Sequence, residues 1–255
     1  MSKNINNVCL VPSNLLLPEI IYKYREVNDR LLSSLEKNEI WFAELQSFND
    51  PFEPARIFSG TPYGNTLKND IDESGILCLC KNNLNLPMWS YYGNGLRGIA
   101  IGYNTEEFLR TLEPVKPHKN EHNPRWRYVF DMKYDDSELG QIQEMNLLLN
   151  NEMTDLERQK MFATKSNAYS HEDEFRIVIQ PKPIFIDEDP SPLWISGIGL
   201  YKHSQDSIRE IIFGELCSEP DRQRIKQILV NKKINYKEVV RSKNSFTIEL
   251  RDDLK

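Results

Sequence analysis

Apolar and polar positions change period several times along the chain, and each change marks an element. Residues 19–25, Glu-Ile-Ile-Tyr-Lys-Tyr-Arg, read as a short strand. Asn28 or Asp29 can cap the helix that follows, where Leu31, Leu32 and Leu35 recur at helical spacing. Ile40-Trp41-Phe42-Ala43 is a second apolar strand, and Ile76–Cys80 a buried one. Pro87 can start a short helix over residues 88–92, closed by Gly93 or Gly95. A strand over Gly98–Tyr103 leads to a helix capped by Asn104 or Thr105 and running through Leu109. Residues 127–134 alternate as a strand does, and residues 138–165 read as helical, with Ile142, Met145 and Leu147–Leu149 apolar and Thr154 restarting the helix toward Phe162. Strands are expected over 170–180, near 184–186, over 193–200 and over 208–214. A helix from Ser218 to Val230 and strands near 235–240 and 245–250 finish the chain. Strands outnumber helices, and the helices cluster in the first half. That pattern predicts an α+β fold with mainly antiparallel sheets, as a single domain over residues 1–255.

The most informative stretch is Tyr-Ser-His-Glu-Asp-Glu-Phe-Arg-Ile-Val at 169–178. Read as a strand, it puts Phe175, Ile177 and Ile179 on a core face and Glu172, Glu174 and Arg176 together on the other. Two carboxylates on one strand face repel unless a cation intervenes, and Arg176 can be that cation. From the residues alone, an ion pair with Arg176 or Lys165 is the favoured reading. Lys165 can bind phosphate or sit at a helix C-terminus. Asn49-Asp50-Pro51 is turn chemistry and places Asn49, Asp50 and Glu53 near a strand end. Trp89 reads as a core anchor, and His171 as a surface residue. Tyr92 reads either as a buried phenol needing a partner or as a ligand platform.

The chain has 255 residues, 39% hydrophobic and 27% charged, which suits a globular protein that folds in water. No apolar run approaches the roughly 20 residues of a membrane helix. The N-terminus lacks the apolar stretch of a secretory signal, so a cytoplasmic protein is expected. The cysteines are Cys9, Cys78, Cys80 and Cys217, which is not zinc-ligand spacing; they read as reduced packing residues, and no metal is expected. A net charge of −6 argues against broad attraction to nucleic acid but leaves room for a local basic groove. One basic cluster stands out: Lys116, His118, Lys119, His122, Arg125 and Arg127, with Trp126 between the arginines. It reads as a solvated loop first, and as a site for phosphate or a stacked base second.

The ordered segments carry a resemblance. They are Tyr-Lys-Tyr-Arg at 22–25, Trp-Phe-Ala at 41–43, Phe-Asn-Asp-Pro-Phe-Glu at 48–53, Met-Trp-Ser-Tyr-Tyr-Gly at 88–93 and Gly-Ile-Ala-Ile-Gly-Tyr at 98–103. Lys165 with Glu172–Arg176, and Ile-Phe-Gly at 212–214, complete the set. Together they resemble a bacterial family, domain of unknown function 2971, over about residues 20–215. In that family the short helix usually reads Trp-Ser-His-Tyr-Ala; here Tyr91 replaces the histidine. The family's aromatic three residues before the first Glu is here Tyr169.

The order of elements also resembles the ADP-ribosyltransferase fold, which implies split sheets around an NAD cleft. By that resemblance Lys23 or Arg25 would hold the NAD ribose, and Tyr92, with Tyr91 second, would stack on nicotinamide. Glu174 or Glu172 would stabilise the cationic sugar; Arg176, read from the residues themselves, has the structural role of orienting a glutamate. Two departures stand out: no His occupies position 23, and Cys80-Lys81 follows Leu79 where the fold usually has Ser-Thr-Ser. The activity implied is NAD-consuming, an ADP-ribosyltransferase or NAD glycohydrolase in a toxin or phage-defence setting, with NAD as substrate and a protein or nucleic acid as acceptor. Two other readings stand beside it. One is a nucleic-acid-binding or nucleotide-sensing module built on Arg125, Trp126, Arg127, Lys165 and Arg176. The other is a non-catalytic interaction protein whose acidic strand face is structural.

Overall fold

The structure, a computed structural model, describes residues 3–5, 9–11, 15–53, 68–117, 127–137, 155–184 and 193–252. Its first elements are β1 (Lys3–Ile5), β2 (Cys9–Val11), β3 (Ile20–Arg25), α1 (Asp29–Lys37), β4 (Glu39–Phe42) and β5 (Gly75–Cys80). Next come α2 (Leu86–Tyr91), β6 (Ile99–Asn104), α3 (Thr105–Thr111), β7 (Glu113–Pro114), β8 (Arg127–Asp131) and β9 (Lys133–Tyr134). Then follow α4 (Asp155–Phe162), β10 (Thr164–Lys165), β11 (Glu174–Ile179), β12 (Lys182–Ile184), β13 (Leu193–Ile195) and β14 (Gly199–Lys202). The last are β15 (Ile208–Gly214), α5 (Glu219–Ile228), β16 (Asn235–Arg241) and β17 (Ile248–Asp252).

The caps explain several boundaries. Asn28 accepts a hydrogen bond from the Leu31 amide and starts α1, Asn104 does the same for α3, and Ser218 for α5. Asn85 caps α2 one residue ahead of the expected start, with Pro87 in its first turn. Strands β1-β2-β8-β11-β5-β3-β6-β15-β16-β17 form one sheet in that order. It is mixed: β2–β8 and β15–β16 are parallel, and the other neighbours antiparallel. An α+β fold with mainly antiparallel pairing is thus present, as expected, in one large sheet that also holds the two parallel pairs. Three smaller sheets flank it, among them β4-β14-β7.

The core face expected of Phe175, Ile177 and Ile179 is real: all three are buried in one cluster with Leu31 and Leu35 from α1, Ile225 from α5 and Leu229 just after it. The expected strand over 193–200 is two strands, β13 and β14, in different sheets. Gly197 lies between them, where a Cβ would come within 1.9 Å of the Ile179 carbonyl oxygen. The backbone crossing there leaves no room for a side chain, and the chain changes sheet. Of the helix expected over 138–165, the described part is α4; residues 164–165 are strand β10 beside β9, and residues 138–154, with Ile142 and Thr154, lie outside the described residues.

One irregularity positions the site. Strand β3 pairs with β6 along six residues but touches β5 only at Tyr22 opposite Cys80. Past that point β3 and β5 part, and the sheet opens. Lys23 spans the opening, its Nζ donating to the Cys78 carbonyl at 2.7 Å. A backbone acceptor that loses its strand partner must find another donor, and here a lysine provides it.

Away from the opening, His203 lies buried against Tyr103 and Phe108, its Nδ1 2.9 Å from Ser207 Oγ. Burial pushes its pKa down from 6.5 to about 4. The neutral form is the one the fold holds, so its contribution is complete above pH 6.5 and is lost as pH falls toward 4. The shift corresponds to about 3 kcal/mol. Urea titrations from pH 7 to pH 4 are expected to show wild type losing that much more stability than His203→Gln; parallel losses would refute the assignment.

Candidate functional site

The site is a buried ion cluster opening into a cavity of about 330 Å3 in the gap between β3 and β5. Arg176, on β11, is fully buried. Its Nε donates to Glu174 Oε1 at 2.8 Å, and its Nη1 donates to Glu53 Oε1 at 2.6 Å and to the Phe162 carbonyl. Lys165, on β10, donates to Glu172 Oε2 at 2.7 Å and lies 3.7 Å from Glu53 Oε2 and 3.8 Å from Glu174 Oε2. Three carboxylates thus share two cations in a nearly dry setting. Burial alone would lower the Lys165 pKa, but Glu174, Glu53 and Glu172 outweigh it and raise it above the ordinary lysine value. Arg176 is raised in the same way against the same opposing burial.

Local chemistry delivers each member. The 48–53 segment is the turn its sequence promised: Asp50 Oδ1 accepts from the Phe52 amide at 2.9 Å, and the Glu53 amide donates to the Asp50 carbonyl. That turn sends Glu53 inward and buries Asp50, which does not line the cavity. Glu172 is not on the strand as expected. Residues 167–172 form a 3-10 helix capped by Ser166, and Asp173 follows with φ 43°, a left-handed conformation that aspartate tolerates. The alternation therefore breaks at Asp173, but Lys165 still draws Glu172 to the same place as Glu174. The Glu174 amide donates to Tyr134 Oη at 2.9 Å, which holds the start of β11.

The cavity brings most of the sequence candidates together. Glu172, Glu174, Lys165, Lys23, Arg25, Tyr92 and Asn49 all line it, as does Cys78. Tyr92 donates to Glu172 Oε1 at 2.9 Å and accepts from Asn49 Nδ2 at 2.8 Å. Burial, then Glu172, pushes its pKa upward, so it stays a neutral phenol. Burial lowers the Lys23 pKa. Among the described residues, Glu174 Oε2 has no hydrogen-bond partner although it is buried. Burial and the neighbouring Glu174 push the Cys78 pKa upward, so a protonated thiol faces this carboxylate.

Other candidates are placed differently. Tyr91 does not line the cavity; it is 72% exposed and packs on His171. The α2 turn points Tyr92 inward and Tyr91 out. Trp89 is fully buried, donates to the Asn83 carbonyl at 2.9 Å and packs edge-on against Tyr24, as a core anchor does. In the basic cluster, His118, Lys119, His122, Arg125 and Trp126 lie outside the described residues. Arg127 is buried and donates to the Leu109 and Leu112 carbonyls at the end of α3, so it is turned away from solvent. With Lys165 and Arg176 also buried in the ion cluster, these three cations do not form one basic surface. Sequence reasoning put Glu53 near a strand end but not in the site; its partner Arg176 is 123 residues away.

Arg176→Met would leave Glu53 and Glu174 buried without their main cation. The expected cost is about 3–5 kcal/mol, read as a lower urea midpoint. A loss below about 1 kcal/mol would mean that Lys165 alone can neutralise the cluster.

No curated protein and no solved structure matches the chain. The model of a family, described as a protein of unknown function (DUF2971), matches residues 88–177. The match is narrower than the expected 20–215 span. It runs from α2 through β11 and takes in Tyr92, Lys165, Glu172, Glu174 and Arg176, while Lys23, Arg25 and Glu53 lie outside it. Over those residues the chain is similar to the DUF2971 proteins, and the similarity coincides with the part of the chain that supplies most of the buried ion cluster.

Proposed function

We propose that the protein cleaves the N-glycosidic bond of NAD, transferring ADP-ribose to water or to an acceptor. What carries the reading is Glu174: it lines the cavity, and its Oε2 lacks a hydrogen-bond partner among the described residues. A carboxylate held by Arg176 and Lys165 is suited to accept from a sugar hydroxyl and to stabilise positive charge developing at ribose C1′. The cavity, about 330 Å3, is of a size for the nicotinamide riboside end of the dinucleotide. Tyr92 offers an aromatic edge for the nicotinamide, and Lys23 and Arg25 offer charge for the pyrophosphate.

In this chemistry nicotinamide leaves with the electron pair of the C1′–N bond. The sugar passes through an oxocarbenium-like state that Glu174 stabilises. An acceptor hydroxyl then bonds to C1′ and loses its proton, for which Glu172 is the nearest base to Tyr92. Tyr92 holds Glu172 through one oxygen and Lys165 holds it through the other, so its position is fixed before substrate arrives.

Purified protein incubated with NAD labelled in the nicotinamide ring is expected to release label. Glu174→Gln should lower release by about 100-fold or more, with a urea midpoint that shows the variant still folded. Tyr92→Phe keeps the ring but loses the Glu172 contact and should lower kcat about tenfold more than it changes KM. If NAD neither binds nor turns over, with or without protein and nucleic-acid acceptors, the reading fails.

A further inference from the structure

A second groove of about 880 Å3 adjoins the cavity and shares Lys23, Arg25 and Cys78 with it. Its floor is the continued parting of β3 and β5, and one wall is the outer face of α1. On that face Arg30, Ser33, Ser34 and Lys37 follow at intervals of three, one and three residues, so they form one stripe. At 1.5 Å per residue the stripe is about 10 Å long. The opposite face of α1 carries buried Leu31, Leu32 and Leu35, which fixes the orientation of the stripe.

The groove gathers several cations on one side. Across the described residues many cations are paired, as Lys81 with Asp131, Arg110 with Glu107, Arg222 with Glu238, Lys237 with Glu210 and Arg241 with Glu215. Arg25, Arg30 and Lys37 have no carboxylate partner among the described residues, yet they share one groove. Two acids also line it: Asp29, 3.6 Å from Arg224, and the half-buried Glu39. The groove also holds Trp41, 54% exposed beside its strand partner Leu200. An indole left half in water in a cationic groove is a flat apolar surface.

We infer that this groove binds a segment of single-stranded nucleic acid, with phosphates along Arg30 and Lys37 and a base stacked on Trp41. Cations in a row match a phosphate backbone, and an aromatic platform accepts any base. The net charge of −6 confines the attraction to this groove. Because the groove opens into the cavity, a bound strand would reach toward Glu172 and Glu174. That last step rests on the proposed NAD chemistry and would make a nucleic acid its acceptor; the binding itself does not depend on it.

The test uses the full chain, a fluorescently labelled single-stranded DNA of about eight nucleotides, within the usual footprint of ~4–16, and no NAD. Anisotropy should show binding that weakens with added salt. The double variant Arg30→Glu/Lys37→Glu should bind about tenfold or more weaker and with a shallower salt dependence. Trp41→Ala should also weaken binding about tenfold. Lys243→Glu, on the turn between β16 and β17, should bind as wild type does. Both stripe residues are exposed, so the variants should fold, with unchanged urea midpoints as the control. Absence of binding, binding insensitive to the stripe and Trp41 variants, or full displacement by ADP at equal concentration would each overturn the inference. Glu174→Gln should bind the strand normally, so loss of NAD turnover and loss of strand binding are read separately.

Discussion

Arg176 has no exposed surface and holds two glutamates, and much of the opening in the sheet is arranged around that fact. Taking charged groups out of water is costly, and attraction between them offsets the cost only when geometry and hydrogen bonds are nearly complete. Here the partners come from three separate segments: Glu53 from the turn after β4, Lys165 from β10, and Glu172 and Glu174 from either side of Asp173. Removing either cation leaves like charges facing each other in a place that water barely reaches. The cluster therefore ties the turn, β10 and β11 into one arrangement.

The same arrangement leaves an opening. Where β3 and β5 part, two strands that could have continued a ladder instead face a cavity, and Lys23 bridges them through a carbonyl. An open sheet interior loses backbone hydrogen bonds and apolar contact, so its persistence asks for a compensating interaction. The ion cluster and the Tyr92–Glu172–Lys165 chain stand along that opening and hold it. Stability and a ligand-sized space thus come from the same residues, which is the usual condition for a pre-organised site.

Much of this was legible from local pattern. The caps at Asn28, Asn104 and Ser218, the turn at Asn49–Pro51, the buried strand at 76–80 and the core face of Phe175, Ile177 and Ile179 all follow from spacing and side-chain chemistry within a few residues. Strand alternation does not reach Glu172, because the left-handed backbone at Asp173 breaks it. Tyr91 and Tyr92 are equivalent to the eye in sequence, but the end of α2 turns one to solvent and the other to Glu172. The strand expected over 193–200 divides at a backbone crossing that no local signal announces.

The sequence by itself determined the periods, the caps, the turn and the presence of a carboxylate-rich segment next to an arginine, because each of these depends on neighbours along the chain. Only the tertiary structure decided which charges meet. Glu53 and Arg176 are 123 residues apart, and Tyr92 and Glu172 are 80 apart. Tertiary structure also decided that β3 parts from β5, and that Arg25 and one face of α1 line the same groove. Those outcomes depend on the order of strands in a ten-stranded sheet and on which buried charges find partners, and hydrophobic period carries no information about either.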